Sequence, residues 1–197
     1  MLAVSKTRSA DAVAAALDCG LHRFGENYLQ EALEKIGQLE GRGIEWHFIG
    51  PIQSNKTRPI ATHFDWVHSV DREKIARRLS EQRPGGSPPL QICLQVNISA
   101  ETSKSGVLPE EVPALAEAIA DLPGVKLRGL MAIPAATDDI AAQHAAFGKL
   151  RELFDDLNAN GAGLDTLSMG MSGDMEAAIA EGATIVRIGT DIFGPRQ

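Results

Sequence analysis

The sequence predicts an α/β fold of one domain over residues 1–197, a compact (β/α)8 TIM barrel. Three observations predict it. Apolar, β-branched stretches alternate with helical ones along the whole chain, which argues for a parallel sheet. Eight strand candidates alternate with seven clear helical ones, and a count of eight selects a closed barrel. An open, doubly wound sheet would need a G-x-G-x-x-G turn after its first strand, and none stands there. At 197 residues the chain is shorter than the ~250 typical of such barrels, so short loops are expected.

The first strand is Leu2-Ala3-Val4-Ser5, ending in Lys6. Ser9 is a capping residue for a helix to Leu17 that Gly20 closes. Arg23–Glu26 reads as strand two, and Leu29–Leu39 as a helix broken by Gly41 and Gly43. Glu45–Gly50, rich in aromatic and β-branched residues, is strand three. A short helix follows over Lys56–Thr62, interrupted by Pro59. Asp65–Val70 is strand four, and Asp71 is expected to cap the helix Arg72–Gln82. Pro84-Gly85-Gly86-Ser87-Pro88-Pro89 is an exposed turn, too short for a domain linker. Leu90–Asn97 is strand five, Glu110–Leu122 a helix and Lys126–Ile133 strand six, stopped by Pro134. Ile140–Asn158 is a long amphipathic helix with Phe147, Leu150, Phe154 and Leu157 on one stripe. Leu164–Met169, a helix Asp174–Ala180, and Thr184–Thr190 complete the alternation.

Composition removes several classes of function. A hydrophobic share of 44% and a charged share of 23% fit an ordinary globular protein. No apolar run approaches the roughly 18 residues that span a bilayer, and no secretory leader is evident, so a cytoplasmic location is expected. The net charge of -7 and the lack of a dense basic cluster argue against nucleic acid as a partner. Cys19 and Cys93 fit no CxxC or zinc pattern and read as buried free thiols. His22, His47, His63, His68 and His144 show no metal-ligand spacing, so no metal is expected.

Residues two apart share a strand face, so Leu2, Val4 and Lys6 point the same way. Directed inward, Lys6 would stand at the carboxyl end of a buried strand, where desolvation favours the neutral, nucleophilic amine. The plainer alternative is a lysine that ends a strand and reaches water. In a barrel, phosphates prefer the loops after strands seven and eight. Those loops, Gly170-Met171-Ser172-Gly173-Asp174 and Gly189-Thr190-Asp191-Ile192-Phe193-Gly194, offer glycines, hydroxyls and backbone N–H groups. Glycines could equally just end strands, and Asp174 and Asp191 oppose an anion unless they point away or cap a helix. Arg187, two residues before Gly189, shares its strand face and, if Gly189 faces the barrel mouth, points into the lumen a little deeper. Its guanidinium cannot shed its proton and needs an acceptor, either a carboxylate such as Glu26 or a heterocyclic ring nitrogen. Amine, arginine and phosphate cradle together describe a site for a phosphorylated, aldehyde-bearing nitrogen ring such as pyridoxal 5′-phosphate.

Five motifs in order carry a resemblance: Leu2-Ala3-Val4-Ser5-Lys6-Thr7, Phe24-Gly25-Glu26-Asn27-Tyr28, Trp46–Lys56, Leu167–Ser172 and Val186–Thr190. The chain resembles the YggS/PROSC family of pyridoxal phosphate homeostasis proteins, related in fold to the barrel domain of alanine racemase. The resemblance implies that Lys6 holds the cofactor as an aldimine, Arg187 faces the pyridine nitrogen, and Ser172, Gly189 and Thr190 bind the phosphate. It also implies that Asn27 lies near the ring. Family members usually carry a further helix ahead of the lysine strand, which this sequence does not include. Asp191 stands where a small residue is expected.

An arginine facing the pyridine nitrogen keeps that nitrogen unprotonated and the ring a poor electron sink. A two-base racemase needs a second acid–base group, commonly a tyrosine from an added domain. The sequence ends soon after strand eight, and its only tyrosine, Tyr28, follows strand two. The reading is therefore a monomeric carrier that takes part in intracellular vitamin B6 balance, passing its cofactor transiently to apo-enzymes. The alternatives are an amino-acid racemase and a cofactor-free lysine aldolase.

Overall fold

The structure, a computed structural model, describes residues 1–99, 101 and 105–195. The strands are β1 (Leu2–Val4), β2 (Arg23–Glu26), β3 (Glu45–Phe48), β4 (Trp66–Val70), β5 (Leu90–Val96), β6 (Val125–Ala132), β7 (Thr166–Ser168) and β8 (Arg187–Ile188). Between them run α1 (Ala10–Asp18), α2 (Leu29–Gln38), α3 (Thr57–His63), α4 (Glu73–Gln82), α5 (Val112–Ile119), α6 (Ile140–Ala159) and α7 (Met175–Ala180), with a last turn, α8 (Thr190–Phe193), after β8. The sheet order is β7-β6-β5-β4-β3-β2-β1-β8, and all paired neighbours are parallel. The two ends of this order meet. Ser168 bridges to Ile185 in parallel, and the amides of Ile185, Met169 and Arg187 donate to Leu167, Ile185 and Gly170 across the seam. The expected eight-stranded barrel is therefore present, with a thin closure.

Alternation along each strand sorts side chains into two cores. In the layer between strands and helices, Phe24 and Leu90 from the strands and Phe64, Ile75, Leu79 and Phe147 from the helical side are fully buried. Each such side chain contributes about 1.5–3 kcal/mol by leaving water. The interior of the barrel is filled differently. Trp66, Cys93 and Met131 form a separate small cluster there, together with the buried polar residues His47, His68, Ser168 and Arg187. The helix stripe behaves as expected, with Phe147, Leu150 and Leu157 buried and Phe154 partly so.

Four local expectations need correction. Strand eight shrinks from Thr184–Thr190 to Arg187–Ile188, because Gly189 opens α8 at once. Pro59 does not interrupt α3, since it lies in the first turn, where a missing N–H removes no helical bond. Asp71 does not cap α4, whose N-cap is Arg72; its carboxylate accepts from the Arg72 side chain instead. Cys19 is exposed at the end of α1, while Cys93 is buried as expected. Ser9 does cap α1, its Oγ accepting from the Ala12 amide at 3.2 Å, and Asp139 caps α6.

Candidate functional site

A cavity of about 260 Å³ opens among the carboxyl ends of the strands. Its lining includes Lys6, Asn27, Ser172, Arg187, Gly189 and Thr190, all six residues expected to hold the cofactor. Val4, Ile49, Ile133, Met171 and Gly173 supply the apolar and backbone remainder, of which the sequence reading did not single out Ile49 and Ile133. The volume lies just below the ~300–1,000 Å³ of sites for drug-sized ligands, which suits a ligand built on one ring. A larger depression of about 640 Å³ lies outside the barrel among α5, α6 and β6, where no carboxyl-end loop reaches.

Lys6 is half-buried and lies two residues past the end of β1. The chain then reverses. Thr7 adopts φ +64°, which among the described residues no other non-glycine shares on the positive side. A left-handed backbone costs such a residue about 1–3 kcal/mol unless its surroundings hold it. A buried clamp does so. Lys35 Nζ from α2 donates at 2.7 Å to the Ser5 carbonyl, Glu26 Oε1 and Glu31 Oε1. Ser5 Oγ also donates to Glu26, and the Thr7 amide donates to Glu31, each at 2.5 Å. Burial raises the Glu26 carboxyl above its ordinary value, against the opposing hydrogen bond from Lys35. The clamp fixes the backbone on both sides of Lys6. Its sequence signal was faint: Glu31 and Lys35 are an ordinary i,i+4 pair, and only the tertiary fold buries it.

Glu26 is not the acceptor for Arg187. Alternation directs Gly25 and Asn27 into the lumen, so Glu26 turns outward to α2. Arg187, only 4% exposed, donates through Nη1 to the Ser168 carbonyl at 2.6 Å and to Ser168 Oγ at 2.9 Å. Its Nη2 donates to the Ala132 carbonyl at 2.9 Å. Burial pushes the guanidinium down to about 10, which leaves it charged at neutral pH. A guanidinium carries five donors, so these three bonds leave two unspent on them. Asn27 lines the same cavity, and its Oδ1 is buried without a hydrogen-bond partner. Gly50 lets the chain just past β3 run close to Asn27, since a Cβ there would collide with the Asn27 carbonyl.

The two loops at the rim are built for close backbone approach. Gly170 adopts φ +94°, and a Cβ there would stand 2.6 Å from Cβ of Ala178 in α7. Asp174 does not face an anion; its Oδ1 accepts from the Met171 amide at 2.6 Å and so closes the loop holding Ser172 and Gly173. Asp191 is exposed in the first turn of α8, next to Gly189 and Thr190.

Comparison with known proteins decides the family. The family model for the alanine racemase N-terminal domain matches residues 1–197. The pyridoxal phosphate homeostasis protein of Pseudomonas aeruginosa is 68% identical over 197 residues, spanning all of this chain and 84% of that protein. This chain belongs to the pyridoxal phosphate homeostasis protein family. The Escherichia coli K12 member is 53% identical over 200 residues, covering 100% of this chain and 86% of its own. Among solved structures, PipY of Synechococcus elongatus without PLP superposes with a TM-score of 0.91 at 38% identity, over 98% of this chain and 91% of PipY. The PLP-bound form of PipY gives 0.89 at 38% identity, over 98% and 92%. Alanine racemase from Corynebacterium glutamicum shares the fold alone, with a TM-score of 0.74 at 19% identity over 99% of this chain and 56% of the racemase. The cavity lies at the carboxyl ends of the strands, the end at which barrels of this kind bind ligands.

Proposed function

We infer that this chain binds pyridoxal 5′-phosphate in the cavity at the strand ends and serves in its homeostasis. The observation that carries this reading is the convergence of Lys6, Asn27, Ser172, Arg187, Gly189 and Thr190 on one cavity. The residues fit the cofactor chemically. The orphaned Asn27 Oδ1 and the unspent donors of Arg187 call for a polar ligand. Bound, the cofactor supplies an aldehyde that condenses with a primary amine. Lys6 is the amine at hand, held by the clamp below it. Arg187 directs N–H groups at the ring nitrogen and, being charged, disfavours a proton there. Ser172, Thr190 and the backbone around Gly189 supply donors for a phosphate. The family name of the relatives and the PLP-bound PipY point to the same ligand.

A carrier fits the lining better than a racemase does. Two-base racemisation needs acid–base groups on both faces of the ring. Among the described lining residues only Lys6 and Arg187 are ionisable, and Arg187 is a poor proton donor. Tyr28 lies outside the lining and is 55% exposed. Hand-over of the cofactor to apo-enzymes follows from such a role. Titration of pyridoxal 5′-phosphate into wild type and Lys6→Ala tests the reading, by absorbance and by mass after borohydride reduction. Wild type is expected to show a visible-edge band and a stable adduct after reduction. Lys6→Ala loses the adduct and keeps weaker noncovalent binding through the phosphate loops. Equal adduct formation by both proteins would reject Lys6. Lys6-dependent exchange of the α-hydrogen of amino acids would replace the carrier with the racemase.

A further inference from the structure

The barrel interior holds two histidines that the proposed function does not use. His47 from β3 and His68 from β4 are both fully buried. His47 Nε2 lies 2.9 Å from Glu45 Oε1, and His47 Nδ1 lies 2.8 Å from His68 Nε2. His68 Nδ1 lies 2.7 Å from Ser168 Oγ, the oxygen that accepts from Arg187 at 2.9 Å. An unbroken line of polar contacts thus runs from Glu45, at the amino end of β3, to Arg187 under the cavity.

The chemistry of each group allows one order of protons. Arg187 can only donate, so Ser168 Oγ accepts from it. Glu45 lies below the ordinary carboxylate range, chiefly through its hydrogen bond with His47, and as a carboxylate it can only accept. His47 therefore donates from Nε2 and, when neutral, accepts at Nδ1. His68 must then donate from Nε2 and accept at Nδ1, which leaves the Ser168 hydroxyl to donate to it. Every hydrogen points away from the arginine. Neutral rings are required, and burial lowers both histidines, most strongly His68, where His47 and then Arg187 add to the effect. Around His47, Glu45 and Asp65 pull the other way while Arg23 adds to the lowering. Trp66 stacks on the His47 ring at 5.4 Å and fixes its plane.

We propose that Glu45, His47, His68 and Ser168 form a one-way donor chain that holds Arg187 in place as a donor toward the ring nitrogen of the cofactor. The four are positioning residues, and the inference rests on the cofactor reading above. A purely space-filling role would be met equally well by apolar side chains. Such side chains would leave Arg187 without the Ser168 hydroxyl contact and without a route to a compensating carboxylate.

Nitrogen-15 NMR of the imidazoles in cofactor-free protein tests the chain directly. Both rings are expected neutral, with the proton on Nε2, and neither should titrate between about pH 5 and 8, where an ordinary histidine does. A charged ring, or His68 protonated on Nδ1, overturns the chain. Cofactor titration then tests its purpose. Ser168→Ala is expected to weaken pyridoxal 5′-phosphate binding about tenfold, as loss of a hydrogen bond to a charged group does, and to shift the band of the bound cofactor. Glu45→Leu, at a half-exposed position also paired with Arg23 at 3.1 Å, should mix the tautomers and shift the band in the same direction. Glu45→Gln, which keeps an accepting oxygen, should restore both. Unchanged affinity and band in folded Ser168→Ala and Glu45→Leu overturn the positioning role. If wild type itself fails to bind, the cofactor reading falls and takes the positioning role with it, while the tautomers still judge the chain.

Discussion

At the scale of single residues, most of the candidate site follows from strand alternation. Lys6 continues the inward face of Leu2 and Val4, and Arg187 shares its face with Gly189; both line the cavity. The same rule, applied to β2, would have excluded Glu26 as a partner for Arg187, because Gly25 and Asn27 take the inward positions. Alternation says where a side chain points and nothing about its distant partners. Hence the Ser168 and Ala132 acceptors were not legible in the sequence. Backbone demands are legible only in outline. Gly170 reads as a loop glycine, whereas its positive φ and its contact with Ala178 make it obligatory. Gly170→Ala is expected to lower stability by about 2–4 kcal/mol through left-handed strain plus overpacking. Urea denaturation would check this, and a loss under about 1 kcal/mol would mean that α7 can retreat.

At the scale of elements, β1 and α2 work as a pair. The α2 helix brings Lys35 beneath the turn that carries Lys6, and that single ammonium bonds a carbonyl and one oxygen of each of two carboxylates. Lys35→Met would leave Glu26 buried without its cation. Breaking such a pair from one side costs about 3–5 kcal/mol. The loss should shrink in acid. Glu26 already has a raised pKa in the folded protein, and without Lys35 it rises further. A group shifted that way stabilises the fold below its unfolded pKa and loses the contribution as pH climbs through the folded one. Chemical denaturation of the variant at about pH 7 and pH 5 checks the sign; a penalty that grows in acid would contradict it.

Across the whole molecule, the eight-fold alternation was legible because each strand is short, β-rich and bounded by glycine, proline or a cap. What the sequence did not disclose is the division into two cores. The interior residues His47, His68 and Ser168 sit in motifs that read as strand but say nothing of which polar groups meet. Their burial shapes the response to acid. A histidine with a depressed pKa supplies stability above about pH 6.5 that is lost as pH falls below it, at up to about 1.4 kcal/mol per pH unit. Glu26 acts oppositely, but two histidines outweigh one glutamate. Stability should therefore decline from about pH 7 toward pH 5.5, and His68→Asn should flatten the slope. A wild-type profile that rises toward acid would refute the assignment of neutral rings.

The barrel closes where it is weakest. β7 and β8 contain three and two residues, and their junction relies on one bridge and a few amide bonds around Ile185. Ser172 projects from one lip of that junction and Gly189 with Thr190 from the other. A phosphate gripped by both lips would act as a suture, so cofactor loading and ring closure become one equilibrium. Amide protons of Met169, Ile185 and Arg187 should then exchange more slowly with solvent deuterium once pyridoxal 5′-phosphate is added, while those of β3 and β4 change little. Uniform slowing over all eight strands would assign the protection to the molecule as a whole and not to its seam.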